Sequence, residues 1–176
     1  KASGKGDEGV RYEEVRYEGY GPSGVAVIID VLTDNVKRTA PEMRKLFEKG
    51  SGNLAKPGSV AFGFASKGVI FIETGNTTEE QLMDAALDAG ADDIEQTEGG
   101  WEVTCEPTQF LNLRQALETA AIEVMSAEIT MVPSTLVDCD AVLGGKILRL
   151  IDSFEEHDDV QNVYTNANIP DEAMEE

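Results

Sequence analysis

The chain has 176 residues, is 41% hydrophobic, and carries 34 acidic against 14 basic side chains for a formal net charge of −20. That length buries a real core and suits one medium domain or two small ones, and the apolar share excludes a disordered chain. No apolar run approaches the roughly 20 residues of a membrane span, and no secretory leader is legible.

Residues 1–9, KASGKGDEG, are small and polar and read as a linker. The chain begins at Lys1 without a methionine, as a fragment or a processed form would. RYEEVRYEGY (11–20) predicts a strand of imperfect alternation, and GVAVIIDVLTD (24–34) a second strand rich in Val and Ile. Thr39-Ala40-Pro41-Glu42 predicts a capping box, with Thr39 as the cap and Pro41 in the first turn. The helix it opens ends at Gly50, with Met43, Leu46 and Phe47 on one face and Arg44, Lys45 and Lys49 on the other. SGNLAKPGS (51–59) predicts a loop and VAFGFA (60–65) a third strand.

GVIFIET (68–74) predicts a strand. Thr77-Thr78-Glu79-Glu80 is a second capping box, opening a helix to Ala89 that stops at Gly90. Residues 92–98 and 101–106 predict a hairpin around Gly99-Gly100. Residues 108–121 predict a helix with Phe110, Leu113 and Leu117 in register, and 126–132 a closing strand. The order β-α-β-β-α-β is the ferredoxin-like split motif. Pro133-Ser134 marks a boundary; a helix follows from Asp140 to Glu155, its first turn weakened by Gly144-Gly145, then a strand over 160–166. The expected fold is α+β, two small α/β sandwich domains with one inserted in the other. A discontinuous domain spans 10–64 and 137–166, an acidic ferredoxin-like domain spans 65–136, and 167–176 is a frayed acidic tail.

Gly19, Gly21 and Gly24 are spaced as G-x-G-x-x-G, the spacing of dinucleotide-binding loops. A dinucleotide site needs a helix directly after the glycines, so that its N-terminus holds the pyrophosphate. Here they lead into VAVIID, a β-branched run. The strand–loop–strand order of kinases fits better, but the following strand offers Asp30 in place of a lysine, and H-R-D and D-F-G are absent. The glycines read as a turn or a partner-binding loop. His157, the one histidine, stands in EEHDD at a helix end, where a solvated or dipole-stabilising role is expected. Cys105 and Cys139 form no C-x-x-C; two buried thiols are expected, with a disulfide left open. No catalytic constellation, metal site or cofactor site is legible, and the chain reads as non-enzymatic.

Charge is polarised along the chain. Residues 34–67 hold seven of the fourteen bases, whereas 68–140 hold sixteen acids and one base, Arg114. Any contact with nucleic acid belongs on the basic segment. The acidic block reads first as solubilising surface, and it also suits a basic protein partner.

GYGPSGVAV, TDNVKRT, GNLAKPGSVAF and DDVQNVY, in that order, resemble the YebC/PmpR family, and the resemblance covers residues 1 to 167. Family members are described as probable transcriptional regulators, and a mitochondrial branch as a translational activator of cytochrome c oxidase subunit one. Other members are described as ribosome-associated factors that help translation through proline-rich stretches. The resemblance implies two α/β domains preceded by a basic helical domain, of which KASG would be the end. It also implies a cytoplasmic protein in a bacterium or a mitochondrial one in a eukaryote. The family's T-D-N-R-N-R-T loop reads Thr33-Asp34-Asn35-Val36-Lys37-Arg38-Thr39 here, its basic character shifted by one residue. The residues expected to contact nucleic acid are Tyr20, Gly21, Pro22, Asn35, Lys37, Arg38, Arg44, Lys45, Lys49 and Lys56. The expected role is a translation factor binding ribosomal or other structured RNA. The alternatives are a DNA-binding transcriptional regulator and a protein-interaction module.

Overall fold

A computed structural model of the chain describes residues 11–174. The expected linker at 1–9 and the last two residues lie outside them. The described chain divides into two compact units, residues 11–64 with 133–174, and residues 65–132.

The first unit is built on the sheet order β3-β1-β2-β9. Strand β1 (Glu13–Tyr20) pairs antiparallel with β2 (Ala26–Thr33), Tyr17 facing Ile29. The turn between them is the glycine loop. Pro22–Gly24 forms a single 3-10 turn in which Ser23 and Gly24 have φ of 61° and 78°, and Gly24 fits that left-handed geometry without a Cβ penalty. The run of Val and Ile in β2 is buried on both faces: Val27, Ile29 and Val31 meet the helices, while Ile28, of the opposite parity, is also fully buried.

Helix α1 (Val36–Lys49) starts three residues before the expected cap, Thr39. Asn35 is the N-cap, its side chain accepting from the Arg38 amide at 3.2 Å. Thr39 is instead a buried helix-interior residue whose hydroxyl lies 2.8 Å from that of Thr33. Pro41 is tolerated inside the helix. The third strand is also displaced. Residues 61–63 form a 3-10 turn, and the strand beside β1 is the short β3 (Asn53–Ala55), inside the segment expected to be loop.

Helix α4 (Ala141–Glu155) is capped by Asp140, which accepts from the Leu143 amide at 2.8 Å, and β9 (Val160–Thr165) completes the sheet against β2. Phe47 of α1 and Phe154 of α4 meet edge to face at 4.8 Å and join Met43 and Leu150 in the core. Gly144 is buried inside α4 because Ala173 and Pro170 press on it: a Cβ there would lie 3.0 Å from the Ala173 methyl. The expected frayed tail is thus structured as far as it is described. β10 (Ala167–Asn168) pairs in parallel with β8 (Val137–Asp138), and the short α5 (Asp171–Met174) buries Ala173.

The second unit has the sheet order β5-β6-β4-β7, the ferredoxin-like arrangement, formed by β4 (Phe64–Glu73), β5 (Ala91–Thr97), β6 (Gly100–Cys105) and β7 (Ser126–Pro133). Helices α2 (Glu79–Leu87) and α3 (Phe110–Thr119) close its core with Leu82, Ala86, Leu113 and Leu117 over Ile70, Ile72, Trp101 and Val103. The cap of α2 is Thr78, one residue after the first threonine of the expected box, and it accepts from the Gln81 amide. Cys105 and Cys139 are free thiols, the first buried and the second half-buried, and burial pushes both above the ordinary thiol range.

Candidate nucleic-acid interface

All ten residues expected at the interface fall in the first unit, but they do not make one surface. Gly21 and Pro22 are buried at the hinge of the β1–β2 turn, and Tyr20 is half-buried beside them. The Gly21 amide donates to Val25 O at 2.7 Å, and the Gly24 amide to Gly21 O at 3.1 Å. The amides that would have cradled a phosphate are therefore occupied inside the turn. Asn35 is committed to capping α1.

Arg38 is also engaged. Its Nη2 lies 3.0 Å from Asp159 Oδ2 and 3.4 Å from Asp34 Oδ1, and its Nε lies 4.0 Å from Glu42 Oε1. Thr39 Oγ1 donates to the same Asp159 oxygen at 3.0 Å. Burial pushes the Asp159 carboxyl up, but the bonds from Arg38 and Thr39 outweigh it and hold the group below the ordinary aspartate range. His157 completes the cluster. Its Nδ1 accepts from the Asp159 amide at 3.1 Å, which puts the ring proton on Nε2, 2.8 Å from Glu42 Oε1. The histidine expected to be solvated is thus a strut between α1 and the turn after α4. Glu42, His157 and Asp159 place ligand-type atoms within 4.8 Å of one another. The Arg38 guanidinium already supplies a positive charge there, and the imidazole is held by Glu42 and a backbone amide with no serine or cysteine bonded to it.

The remaining expected cations are different. Lys37, Arg44, Lys45, Lys49 and Lys56 are exposed and enter no ion pair among the described residues. On α1, Lys37 and Arg44 are seven apart and share one stripe, Lys45 and Lys49, four apart, share another, and Lys49 lines a cleft with α4. Lys56 begins a loop pinned from beneath by Glu18. That carboxylate is 5% exposed and accepts from the amides of Gly58, Val60 and Ala61 at 2.8, 2.9 and 2.9 Å. Burial pushes Glu18 up, yet the three amides prevail and its carboxyl lies below the ordinary glutamate range. From this pinned loop Phe62 projects with 86% exposure.

Two cations outside the expected set join Lys49. Lys146 and Arg149, three apart on α4, face it across a cleft of about 300 Å³ between the two helices. In the sequence they are isolated bases flanked by apolar residues, about 100 residues from Lys49, so charge clustering along the chain could not find them.

The fold is mixed, two small α/β units, and most cations of the described residues lie in the first of them. The family model described as TACO1/YebC second and third domain matches residues 12–167, and the chain belongs to that family. It is 47% identical over its full length to a probable transcriptional regulatory protein of Rubrobacter xylanophilus, spanning 70% of that protein. It is 48% identical over 96% of its length to one of Treponema denticola, spanning 68%. The crystal structure of a conserved hypothetical protein from Aquifex aeolicus superposes with a TM-score of 0.79 at 35% identity, covering 97% of this chain and 68% of the other. No helix among the described residues is long and apolar enough to cross a membrane.

Proposed function

We propose that the chain is part of a non-enzymatic regulatory factor that works on nucleic acid, and that its target is structured RNA on the ribosome. There it would assist translation through proline-rich stretches, in the cytoplasm of a bacterium or in a mitochondrion. The observation that carries the nucleic-acid reading is electrostatic. In a chain of net charge −20, the first unit leaves cations of α1 and α4 without acidic partners. Like charges left together in an acid-rich protein cost stability, and a polyanion offsets that cost.

The choice of RNA over duplex DNA rests on the type of side chain exposed. The outward face of α1 offers Lys37, Lys45 and Lys49, point charges suited to phosphates, with Arg44 as its one free guanidinium. It has no Asn or Gln series to read base edges in a major groove. Recognition by backbone and shape is how folded RNA is mostly bound. The second reading is a DNA-binding transcriptional regulator, favoured by the names of the relatives. The third is a protein-interaction module, in which the acidic second unit would dock a basic partner such as a ribosomal protein.

Sedimentation with purified ribosomes through a sucrose cushion, with excess duplex DNA as competitor, tests this order. Pelleting that survives the DNA is the expected result. Release by the DNA would put the transcriptional reading first.

A further inference from the structure

From the cleft between α1 and α4, we infer that Lys49, Lys146 and Arg149 form the principal phosphate seat of this chain, one that takes the phosphodiester backbone of a nucleic acid. The inference rests on the nucleic-acid reading above and assigns it to a place the glycine loop and Arg38 do not provide.

Four observations converge. First, the lining of the cleft contains these three cations and no carboxylate, although acids outnumber bases by more than two to one in the chain. None of the three enters an ion pair among the described residues, whereas Arg16, Arg38 and Lys67 are all paired. Second, the cleft holds about 300 Å³ over a floor of Leu46 and Leu150, room for a phosphate with part of its sugar. Third, its cations are complementary: Arg149 can grip two phosphate oxygens with its planar fork, while the two lysines act as point charges. Fourth, the seat is rigidly backed. Leu150 at its floor is 2% exposed and belongs to the Phe47–Phe154 core. At its rim Ser51 is held at φ 68°, an unfavourable conformation for a residue with a Cβ, with its amide bonded to Glu48 O at 3.1 Å. Arg38, by contrast, would have to leave Asp159 before it could meet a phosphate.

The test is fluorescence anisotropy of the 176-residue chain with a labelled RNA hairpin and labelled duplex DNA, between 50 and 200 mM KCl. Lys146→Gln with Arg149→Gln should weaken binding at least tenfold at the lowest salt. It should also flatten the log–log salt slope, by about 1.8 for the DNA duplex, as expected for two lost phosphate contacts. Arg149→Lys should recover part of the affinity, and an unchanged thermal melt separates this effect from misfolding. Lys37→Gln with Lys56→Gln removes two exposed cations outside the cleft for comparison and should cost less than the cleft pair. The polymer that shows the larger loss is the one seated in the cleft. If the cleft variant binds like the parent while the comparison pair loses affinity and slope, the cleft assignment fails and the nucleic-acid reading stands. If the parent chain binds neither polymer at 50 mM KCl, both fall.

Discussion

The two units share a plan and differ in how they use charge. Each packs two principal helices on one face of a four-stranded sheet around an aliphatic and aromatic core. Residues 65–132 contain fourteen acids and two bases, and both bases are engaged. Lys67 bridges Asp92 and Glu106, and the Arg114 guanidinium lies 5.8 Å from the Phe110 ring centroid. The described residues of the other unit contain sixteen acids and ten bases, and there the acids are gathered around particular cations. Asp30 takes Arg16, and Asp34, Glu42 and Asp159 take Arg38, while Lys49, Lys146 and Arg149 are left unpaired. A common scaffold thus tolerates different arrangements of surface charge, because the clustered core residues of both units are uncharged. Binding depends on which charges remain unmatched, not on how many there are.

The largest effects should show that the two cores are equivalent while the two surfaces are not. Phe154→Ala removes a fully buried ring from the first core and should cost about 3–5 kcal/mol by urea unfolding. Leu113→Ala in the second should cost about 2–5 kcal/mol. A Leu113 variant that keeps full affinity for nucleic acid once folded would assign binding to the other unit, and a selective loss of affinity would blur the contrast.

Glu18→Gln tests the pinned loop. The substitution turns an amide donor toward three backbone donors and should cost about 1.5–3 kcal/mol at neutral pH. The folded carboxyl lies below its ordinary value of about 4.3, so its contribution is present above that pH and is lost as pH falls through the lower folded value. The difference in stability between parent and Glu18→Gln should therefore be flat from neutrality to about pH 5 and shrink below it. A difference that grew with acidity would reverse the assignment.

The smallest effect concerns the cluster at Arg38. By NMR titration Asp159 should protonate below the ordinary aspartate range, and Arg38→Gln should move that midpoint upward. No movement would mean that Arg38 is free in solution and available to a phosphate after all.

The sequence by itself determined the elements whose pattern is local. The Val and Ile run of β2, the capping threonines before α2 (one residue off the expected box), the hairpin turn next to Gly99 and the heptad-like spacing of Phe110, Leu113 and Leu117 each specify their structure within a few residues. The ferredoxin-like order followed from them. What needed the tertiary structure is non-local. Thr39 has the chemistry of a cap, but it is drawn into the helix interior by Thr33 and Asp159, the latter 120 residues away in sequence. Residues 60–65 have the composition of a strand, but the three amides held by Glu18 curl the adjoining chain into a turn, and the edge beside β1 goes to the plainer Asn53–Ala55. The candidate site divides in the same way. The basic character of α1 is written in its sequence, since charge needs no fold to be counted. Which cations are neutralised depends on the partners that folding brings within about 4 Å, where Coulomb attraction is strong. Asp34 and Glu42 reach Arg38 from four residues away in sequence, but only folding brings Asp159 to it and sets Lys49 beside Lys146 and Arg149.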